Sequence, residues 1–192
     1  MLRSFIAIEL PPDIQKAITR ATAGIQKALP KPLVRWVTEQ NIHLTLKFLG
    51  DVSVSNLERL SEALKVEASQ HSAFDLSVAK LGAFPSTRRA RVIWIGIEAP
   101  ADLVALQRGM EAVAARLGYP PEERPFSAHL TIGRVGQNAS TADLSKIRTE
   151  LEGCTVGVLG ATRVDAVHIF KSDLQPSGSI YTHLYALSLK SG

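Results

Sequence analysis

The sequence has little cysteine and no long apolar segment, and these two absences narrow the class of protein. A single cysteine, Cys154, excludes an intrachain disulfide and any metal site built from several thiolates. No apolar run approaches the roughly 18 residues that span a bilayer. The run from Phe5 to Leu10 is too short for a signal peptide, because Pro11 and Pro12 end it. We therefore expect a cytoplasmic protein that does not bind membranes.

The common motifs for nucleotide binding and for hydrolysis are also missing. The chain contains no G-x-x-x-x-G-K-[ST] loop, no G-x-G-x-x-G, no H-E-x-x-H and no G-x-S-x-G. The formal net charge of +4 favours an anionic partner, but it is too small to indicate nucleic-acid binding by itself. A length of 192 residues suits one domain, or two small lobes that share a core.

What the chain does contain is one short string written twice, as H-L-T-L and as H-L-T-I. The side chains of a β-strand alternate, so each string places a histidine and a threonine on one face and two apolar residues on the other. The polar pairs are His43 with Thr45 and His129 with Thr131. One copy is typical of any half-buried strand. Two copies at equivalent places of a larger repeat indicate a functional site.

The two strings lie in halves that match over a longer stretch. Residues 6–14 and 95–103 both read I-x-I-E-x-P-x-D followed by Ile or Leu, and each stretch precedes a predicted helix, an H-L-T strand and a second helix. This pattern predicts an α+β fold in which a β-α-β-α unit is duplicated about a pseudo-two-fold axis, with largely antiparallel sheets. We expect residues 1–192 to form a single domain of two lobes, with the two strings facing a central cleft.

Local signals predict the breaks between these elements. Ser55 with Glu58 resembles a capping box at the start of the second helix. The pair Gly50-Asp51 is typical of a turn before that helix, and a loop is expected around Gly82 and Pro85. Residues 176–178 read Pro-Ser-Gly, which predicts a turn between the last two strands.

Two histidines and two hydroxyl groups suit one kind of reaction. Histidine titrates near about 6.5, so one imidazole can be neutral while the other is protonated, and the pair supplies a general base and a general acid. The threonines donate hydrogen bonds to developing negative charge, and a phosphodiester needs all of these groups. A metal site is the weaker alternative, because threonine is a poor ligand and no carboxylate accompanies both strings.

The doubled H-x-T-x pattern resembles that of the two-histidine (2H) phosphoesterase superfamily. Its flanking segments resemble the bacterial and archaeal RNA 2',3'-cyclic phosphodiesterases, a branch also called 2'-5' RNA ligase. Ala128, just before the second histidine, departs from the proline that is usual in this branch. The segments that carry the resemblance are R-W-V at 35–37, K-F-L-G at 47–50, F-P with R-R-A-R-V-I-W within 84–94, and F-K-S-D-L-Q-P-S-G-S-I-Y at 170–181.

The resemblance implies hydrolysis of an RNA-terminal 2',3'-cyclic phosphate to a 2'-phosphate, with no metal and no cofactor. His43 would protonate the departing 3' oxygen, His129 would deprotonate the attacking water, and Thr45 and Thr131 would hold phosphate oxygens. Pseudo-symmetry makes the two histidine roles interchangeable. The implied substrates are RNA ends such as tRNA fragments, or cyclic nucleotides. An RNA 5'-hydroxyl in place of water would give a 2'-5' linkage. We expect a monomer.

Six further residues are candidates for substrate binding. Lys47 shares strand parity with the first histidine and either reaches the phosphate or is a solvated lysine at a strand end. Phe48 has the parity of a core residue and would stack on a base only if the strand ends there. Arg134 has the wrong parity for the cleft unless a bulge at Gly133 redirects it. The densest basic cluster either follows an RNA backbone or is a solvated hairpin. It consists of Arg88, Arg89 and Arg91.

Two other functions are compatible with the same residues. One is a module that binds RNA or nucleotide phosphates without turnover, and the other is a 2H enzyme that acts on small cyclic nucleotides. Two histidines of the late strands, His168 and His183, lack an H-x-T partner. We expect them to be structural residues with satisfied hydrogen bonds.

Overall fold

The structure is a computed structural model that describes residues 1–175 and 178–191. These residues form an α+β fold of four helices and nine strands, as the sequence predicts. The helices are α1 (Pro12–Ala28), α2 (Val54–Ala68), α3 (Ala101–Arg116) and α4 (Thr141–Gly153). The strands are β1 (Leu2–Glu9), β2 (Val34–Trp36), β3 (His43–Val52), β4 (Phe74–Phe84), β5 (Val92–Glu98), β6 (His129–Val135), β7 (Val158–Val164), β8 (Ala166–Gln175) and β9 (Gly178–Ser188).

The strands form one antiparallel sheet whose order reveals the duplication. The order is β7-β4-β5-β6-β3-β1-β8-β9, and β2 also pairs with β6. The two strands that carry the H-L-T strings, β3 and β6, are the central neighbours. On either side the equivalent strands β1 and β5 come next, followed by β8 and β4. The sheet therefore has a pseudo-two-fold axis between β3 and β6.

This axis passes through one pair of equivalent residues. Leu44 of the first string is the antiparallel partner of Leu130 of the second, and both side chains are fully buried. They belong to a hydrophobic cluster that includes residues of both halves and the inner faces of the helices, such as Ile18 of α1 and Leu106 of α3. The histidines and threonines of β3 and β6 lie on the opposite face of the sheet, called the cleft face below.

Three predicted element boundaries are wrong. The sequence predicts a turn at Gly50-Asp51, but β3 continues to Val52, with Gly50 at a φ of 70°. The chain then enters α2 two residues earlier than expected, and Ser53 rather than Ser55 caps it by accepting a hydrogen bond from the Asn56 amide. Of the expected loop around Gly82 and Pro85, Gly82 is a part of β4, whereas Pro85 follows the end of that strand at Phe84.

Two features near the end of the chain complete the comparison. A capping box does form at α4, where Ser140 and Asp143 exchange hydrogen bonds with each other's backbone amides. In the expected turn at 176–178, Pro176 and Ser177 lie outside the described residues, and Gly178 begins β9. None of the helices in the described part of the chain is both long and apolar enough to cross a membrane.

Candidate active site

The Leu44–Leu130 pair fixes the arrangement of the two H-L-T strings. Around an antiparallel pair the neighbouring residues face one another, so His43 lies beside Thr131 and Thr45 beside His129. The two histidines are then diagonal neighbours, which in a regular sheet are about 7–8 Å apart at the backbone. All four polar side chains lie on the sheet face opposite the leucines. This spacing leaves room for one phosphate group between the two imidazole rings.

Both imidazoles are held by the same hydrogen bond in the two halves. His43 Nδ1 lies 2.7 Å from the carbonyl oxygen of Asn41, and His129 Nδ1 lies 2.7 Å from that of Ser127. A carbonyl oxygen only accepts, so Nδ1 carries a hydrogen and donates it in each case. Nε2 of each ring is therefore the nitrogen that can exchange a proton with a bound molecule.

Aromatic rings fix the orientation of both imidazoles. Phe5 stacks on His43 with ring centroids 4.9 Å apart, and Tyr181 meets the same imidazole edge-on at 5.1 Å. Phe84 contacts His129 edge-on at 4.9 Å. Such packing restricts the side-chain rotamers and holds both rings ready for a ligand.

Burial lowers the pKa of His43 below its usual value. The hydrogen bond to Asn41 acts in the opposite direction and favours the charged ring. The positive charge of Arg134 lowers the pKa further, and the carboxylate of Glu9 partly offsets that effect. In the free protein His43 is thus biased towards its neutral form.

A β-bulge follows the threonine in both halves. Ala7 pairs with Thr45 but Ile6 pairs with Lys47, so Leu46 is an extra residue in β3. In β6 the extra residue is Ile132. A bulge reverses which face the following residues occupy. The parity argument therefore fails beyond each threonine, and it fails in the same way twice.

The expectation that Lys47 could reach a phosphate is wrong. The bulge turns Lys47 to the helix side, where its side chain is only 4% exposed. Its ammonium group lies 2.6 Å from a carboxylate oxygen of Glu111 on α3 and also donates to the carbonyl of Pro120. Glu111 in turn accepts from the Glu122 amide, so the pair ties the loop before β6 to both β3 and α3.

The same bulge turns Phe48 to the cleft face, contrary to its predicted core parity. Phe48 is 61% exposed and pairs with Phe5, the residue that stacks on His43. The centroids of the two phenyl rings are 6.1 Å apart. An exposed ring beside the His43 imidazole can stack on a nucleobase without distorting the strand.

Arg134 lies on the cleft face, as the bulge hypothesis requires, although the extra residue is Ile132 rather than Gly133. Val92 pairs with Arg134 and Trp94 pairs with Thr131, so the arginine and the threonine share a face. Gly133 has another role. A Cβ atom there would lie 2.9 Å from the Trp36 ring, so glycine lets this indole pack against the strand.

The three arginines of the basic cluster separate in the structure. Arg88 lies in a 3-10 turn (Thr87–Arg89), and its charge acts on Glu152 of α4. Arg89 is exposed in the same turn. Arg91 immediately precedes β5 and lines a groove of about 450 Å³ together with Arg134. Arg35, which belongs to the R-W-V segment but was not predicted to bind substrate, lines the same groove.

The late histidines lie on the cleft face rather than in a separate structural network. His168 pairs with Ala7, and its ring lies 4.8 Å from that of His183. His183 contacts the carboxylate of Glu9 at 3.2 Å. Nδ1 of His168 is buried without a hydrogen-bond partner among the described residues, so the expectation of a satisfied histidine is wrong there. Burial lowers the pKa of His168, with His183 acting in the same direction.

The second half has its own aromatic wall. Trp94 shares the cleft face with Thr131 and contacts Phe84 at 5.3 Å. A Cβ atom at Gly82 would lie 2.3 Å from the Trp94 ring, so only glycine allows the indole to lie across β4. No group of three or more His, Cys, Asp or Glu side chains within the described ranges could hold a metal ion. Metal independence stays a prediction.

Comparison with known proteins agrees with this arrangement. The family model described as LigT like phosphoesterase matches residues 8–94 and, a second time, residues 95–181. The chain belongs to the LigT-like phosphoesterase family, which confirms the resemblance inferred from the motifs. The two matches also confirm the internal duplication, because each half fits the model separately.

Individual relatives extend over the whole chain. A protein of Methanothermobacter thermautotrophicus named RNA 2',3'-cyclic phosphodiesterase is 32% identical over 188 residues, which cover 98% of this chain and 99% of that protein. A protein of Thermotoga maritima with the same name is 30% identical over 192 residues, covering 100% and 97%. The crystal structure of Escherichia coli LigT complexed with 3'-AMP is 28% identical, with a TM-score of 0.74 over 98% of both chains.

Proposed function

We propose that this protein hydrolyses the 2',3'-cyclic phosphate at the end of an RNA to a 2'-phosphate by acid and base catalysis from two histidines. The observation that carries the proposal is the matched pair of imidazoles, each with Nδ1 donating to a carbonyl and Nε2 left for the substrate. The full-length relatives named RNA 2',3'-cyclic phosphodiesterase support the choice of substrate.

The reaction needs one proton delivered and one removed. His129 Nε2 takes a proton from water as the water oxygen attacks phosphorus, and His43 Nε2 gives a proton to the 3' oxygen as its bond to phosphorus breaks. The products are a 3'-hydroxyl and a 2'-phosphate monoester, and the two histidines have exchanged protonation states. Thr45 and Thr131 donate to the phosphate oxygens, and Arg134 balances the negative charge that develops.

The acid role of His43 depends on the bound substrate. In the free protein burial and Arg134 lower the pKa of His43, which favours the neutral ring. A phosphodiester anion beside the imidazole favours the protonated ring and raises the pKa again. Substrate binding thus favours the protonated form of His43, which is the form that acts as the acid. An RNA 5'-hydroxyl that attacks phosphorus in place of water, with the 3' oxygen departing and taking its proton from His43, would form a 2'-5' linkage.

The test uses adenosine 2',3'-cyclic phosphate and an oligonucleotide with a cyclic phosphate end, both in excess EDTA. We expect both to be converted, with adenosine 2'-phosphate rather than the 3' isomer as the mononucleotide product. Activity lost on chelation and restored by zinc or manganese would contradict the metal-free mechanism. Binding without any conversion would instead support a phosphate-binding module.

The same assay separates RNA ends from small cyclic nucleotides as the preferred substrate. A kcat/KM that is equal for the mononucleotide and the oligonucleotide would favour an enzyme of small cyclic nucleotides. The predicted monomeric state is checked separately by light scattering on the purified protein.

A further inference from the structure

A groove with three arginines adjoins the proposed catalytic site. Its volume is about 450 Å³, and it opens on the surface beside β2, β5 and β6. The groove continues into the cleft through Arg134, which lies on the face of Thr131 and influences His43. The lining residues are Arg35, Arg91, Val92, Arg134, Val135 and Gln137.

The backbone places these guanidinium groups side by side. Arg35 of β2 is the direct antiparallel partner of Arg134, so both side chains leave the same face of the sheet. The backbone of Arg91 is fixed next to them, because its amide donates to Phe84 and its carbonyl accepts from the Val135 amide at 3.0 Å. Like charges directly opposite each other destabilise a sheet. An anion in the groove would relieve that repulsion.

No carboxylate among the residues that the structure describes supplies this anion. Across residues 1–175 and 178–191, none of the three arginines takes part in an ion pair. Arginine pairs with phosphate through two parallel hydrogen bonds, and the amide of Gln137 adds a neutral donor to the same wall. The chemistry of the groove therefore fits a phosphate group, and its position fits a phosphate linked to the one held between the histidines.

We propose that Arg35 and Arg91 form, with Arg134, a subsite for a second phosphate of the same RNA, on the 5' side of the terminal nucleotide. This inference rests on the proposed function, since it assigns a neighbour to the phosphate that reacts. The subsite makes the enzyme selective for RNA ends. A nucleoside 2',3'-cyclic phosphate with a free 5'-hydroxyl leaves the groove empty, whereas one with a 5'-phosphate fills it.

The experiment compares adenosine 2',3'-cyclic phosphate with and without a 5'-phosphate. We expect the 5'-phosphate to raise kcat/KM by about ten-fold in the unmodified protein, because one hydrogen bond to a charged group contributes about that factor. The ratio of the two kcat/KM values should fall towards one in Arg35→Gln and in Arg91→Gln. In Arg35→Lys the ratio should lie between these two values, because the charge remains but the bidentate hydrogen bond to phosphate is lost.

Arg20→Gln is the matched control, because it removes the same charge from an exposed position on α1. It should keep the unmodified ratio, and raising the salt concentration should lower that ratio. A ratio near one in the unmodified protein would overturn the subsite. An equal fall of the ratio in Arg20→Gln would do so as well, since it would point to overall charge.

A binding measurement separates failure of the subsite from failure of the proposed function. Adenosine 2'-phosphate and adenosine 2',5'-bisphosphate are titrated by calorimetry, with no turnover required. We expect the bisphosphate to bind about ten-fold more tightly, and Arg35→Gln to remove most of that difference. If neither cyclic substrate is hydrolysed but this difference holds, the proposed function is wrong and the subsite stands. Equal affinities would refute the subsite.

Discussion

Phe48 and Arg134 occupy equivalent positions in the two halves, and each is turned to the cleft by a bulge just after the threonine of its string. Because the pseudo-two-fold axis relates them, they lie on opposite sides of the Leu44–Leu130 pair. One end of the cleft thus presents an exposed aromatic ring and the other a guanidinium group. A nucleotide is similarly divided into a base and its phosphates, which gives the substrate one preferred direction in the cleft.

Replacement of Phe48 tests the base-binding end. Phe48→Ala should raise KM for a cyclic-phosphate oligonucleotide by about ten-fold, because stacking on an aromatic ring is worth about 1–3 kcal/mol per base. The value of kcat should change less, since the ring does not touch the phosphate. Phe48→Tyr should retain the KM of the unmodified protein. Steady-state kinetics on the unmodified protein and the two variants measures both KM and kcat. An unchanged KM in Phe48→Ala would exclude stacking there.

Replacement of either H-L-T histidine tests the acid and base roles. His43→Gln and His129→Gln should each lower kcat by at least about 10² to 10⁴. Their thermal midpoints should stay close to that of the unmodified protein. His71→Gln is the control, because His71 pairs with Glu67 at the end of α2. Substantial turnover in either catalytic variant would contradict the paired mechanism.

The pH dependence of the kinetics tests the state of His43. Burial and Arg134 lower the pKa of His43 in the free protein, and a bound phosphodiester raises it. Activity that needs protonated His43 is lost as the pH rises through that pKa. The alkaline limb should therefore lie at higher pH in the profile of kcat than in that of kcat/KM. If the two limbs coincide, His43 is not the acid.

The pH dependence of stability follows from two partly buried histidines, His43 and His168. The folded state lowers the pKa of both His43 and His168, so it binds fewer protons than the unfolded chain. The free energy of unfolding should be highest above a pH of about 6.5, which is the pKa of histidine in the unfolded chain. It should decrease as the pH drops below that value. Denaturant unfolding between pH 8 and pH 5 measures this, and His168→Gln should flatten the curve. An identical curve in the variant would contradict the assignment.

The Lys47–Glu111 pair should respond unequally to removal of its two members. Glu111→Ala leaves the buried Lys47 ammonium without its carboxylate, which costs about 3–5 kcal/mol for a buried pair. Lys47→Met leaves Glu111, whose side chain is 18% exposed and can be hydrated, so the loss should be smaller. Urea unfolding of both variants checks the order. Equal losses would show that the ion pair is not the source of the stability.

The positions closest to the strings could be predicted because strand periodicity is a local property. The faces of His43, Thr45, His129 and Thr131 follow from alternation, and the duplication follows from the match of residues 6–14 with 95–103. Beyond the first threonine the prediction from alternation failed, whereas beyond the second the bulge that redirects Arg134 was anticipated one residue away from its position. A bulge depends on how a strand meets its partners, and the sequence of one strand does not contain that register.

The sequence by itself determined the fold class, the duplication, the family and the two H-L-T strings that we propose to be catalytic, because each is written in spacing and alternation along the chain. Only the tertiary structure decided the rest. The side chain of Lys47 is buried on the helix side of the sheet, and that of Phe48 is exposed. Arg88 and Arg91 are separated, whereas Arg35 lies beside Arg134. These positions depend on pairing between strands that are far apart in sequence, so they are determined by packing of the whole sheet rather than by the local pattern.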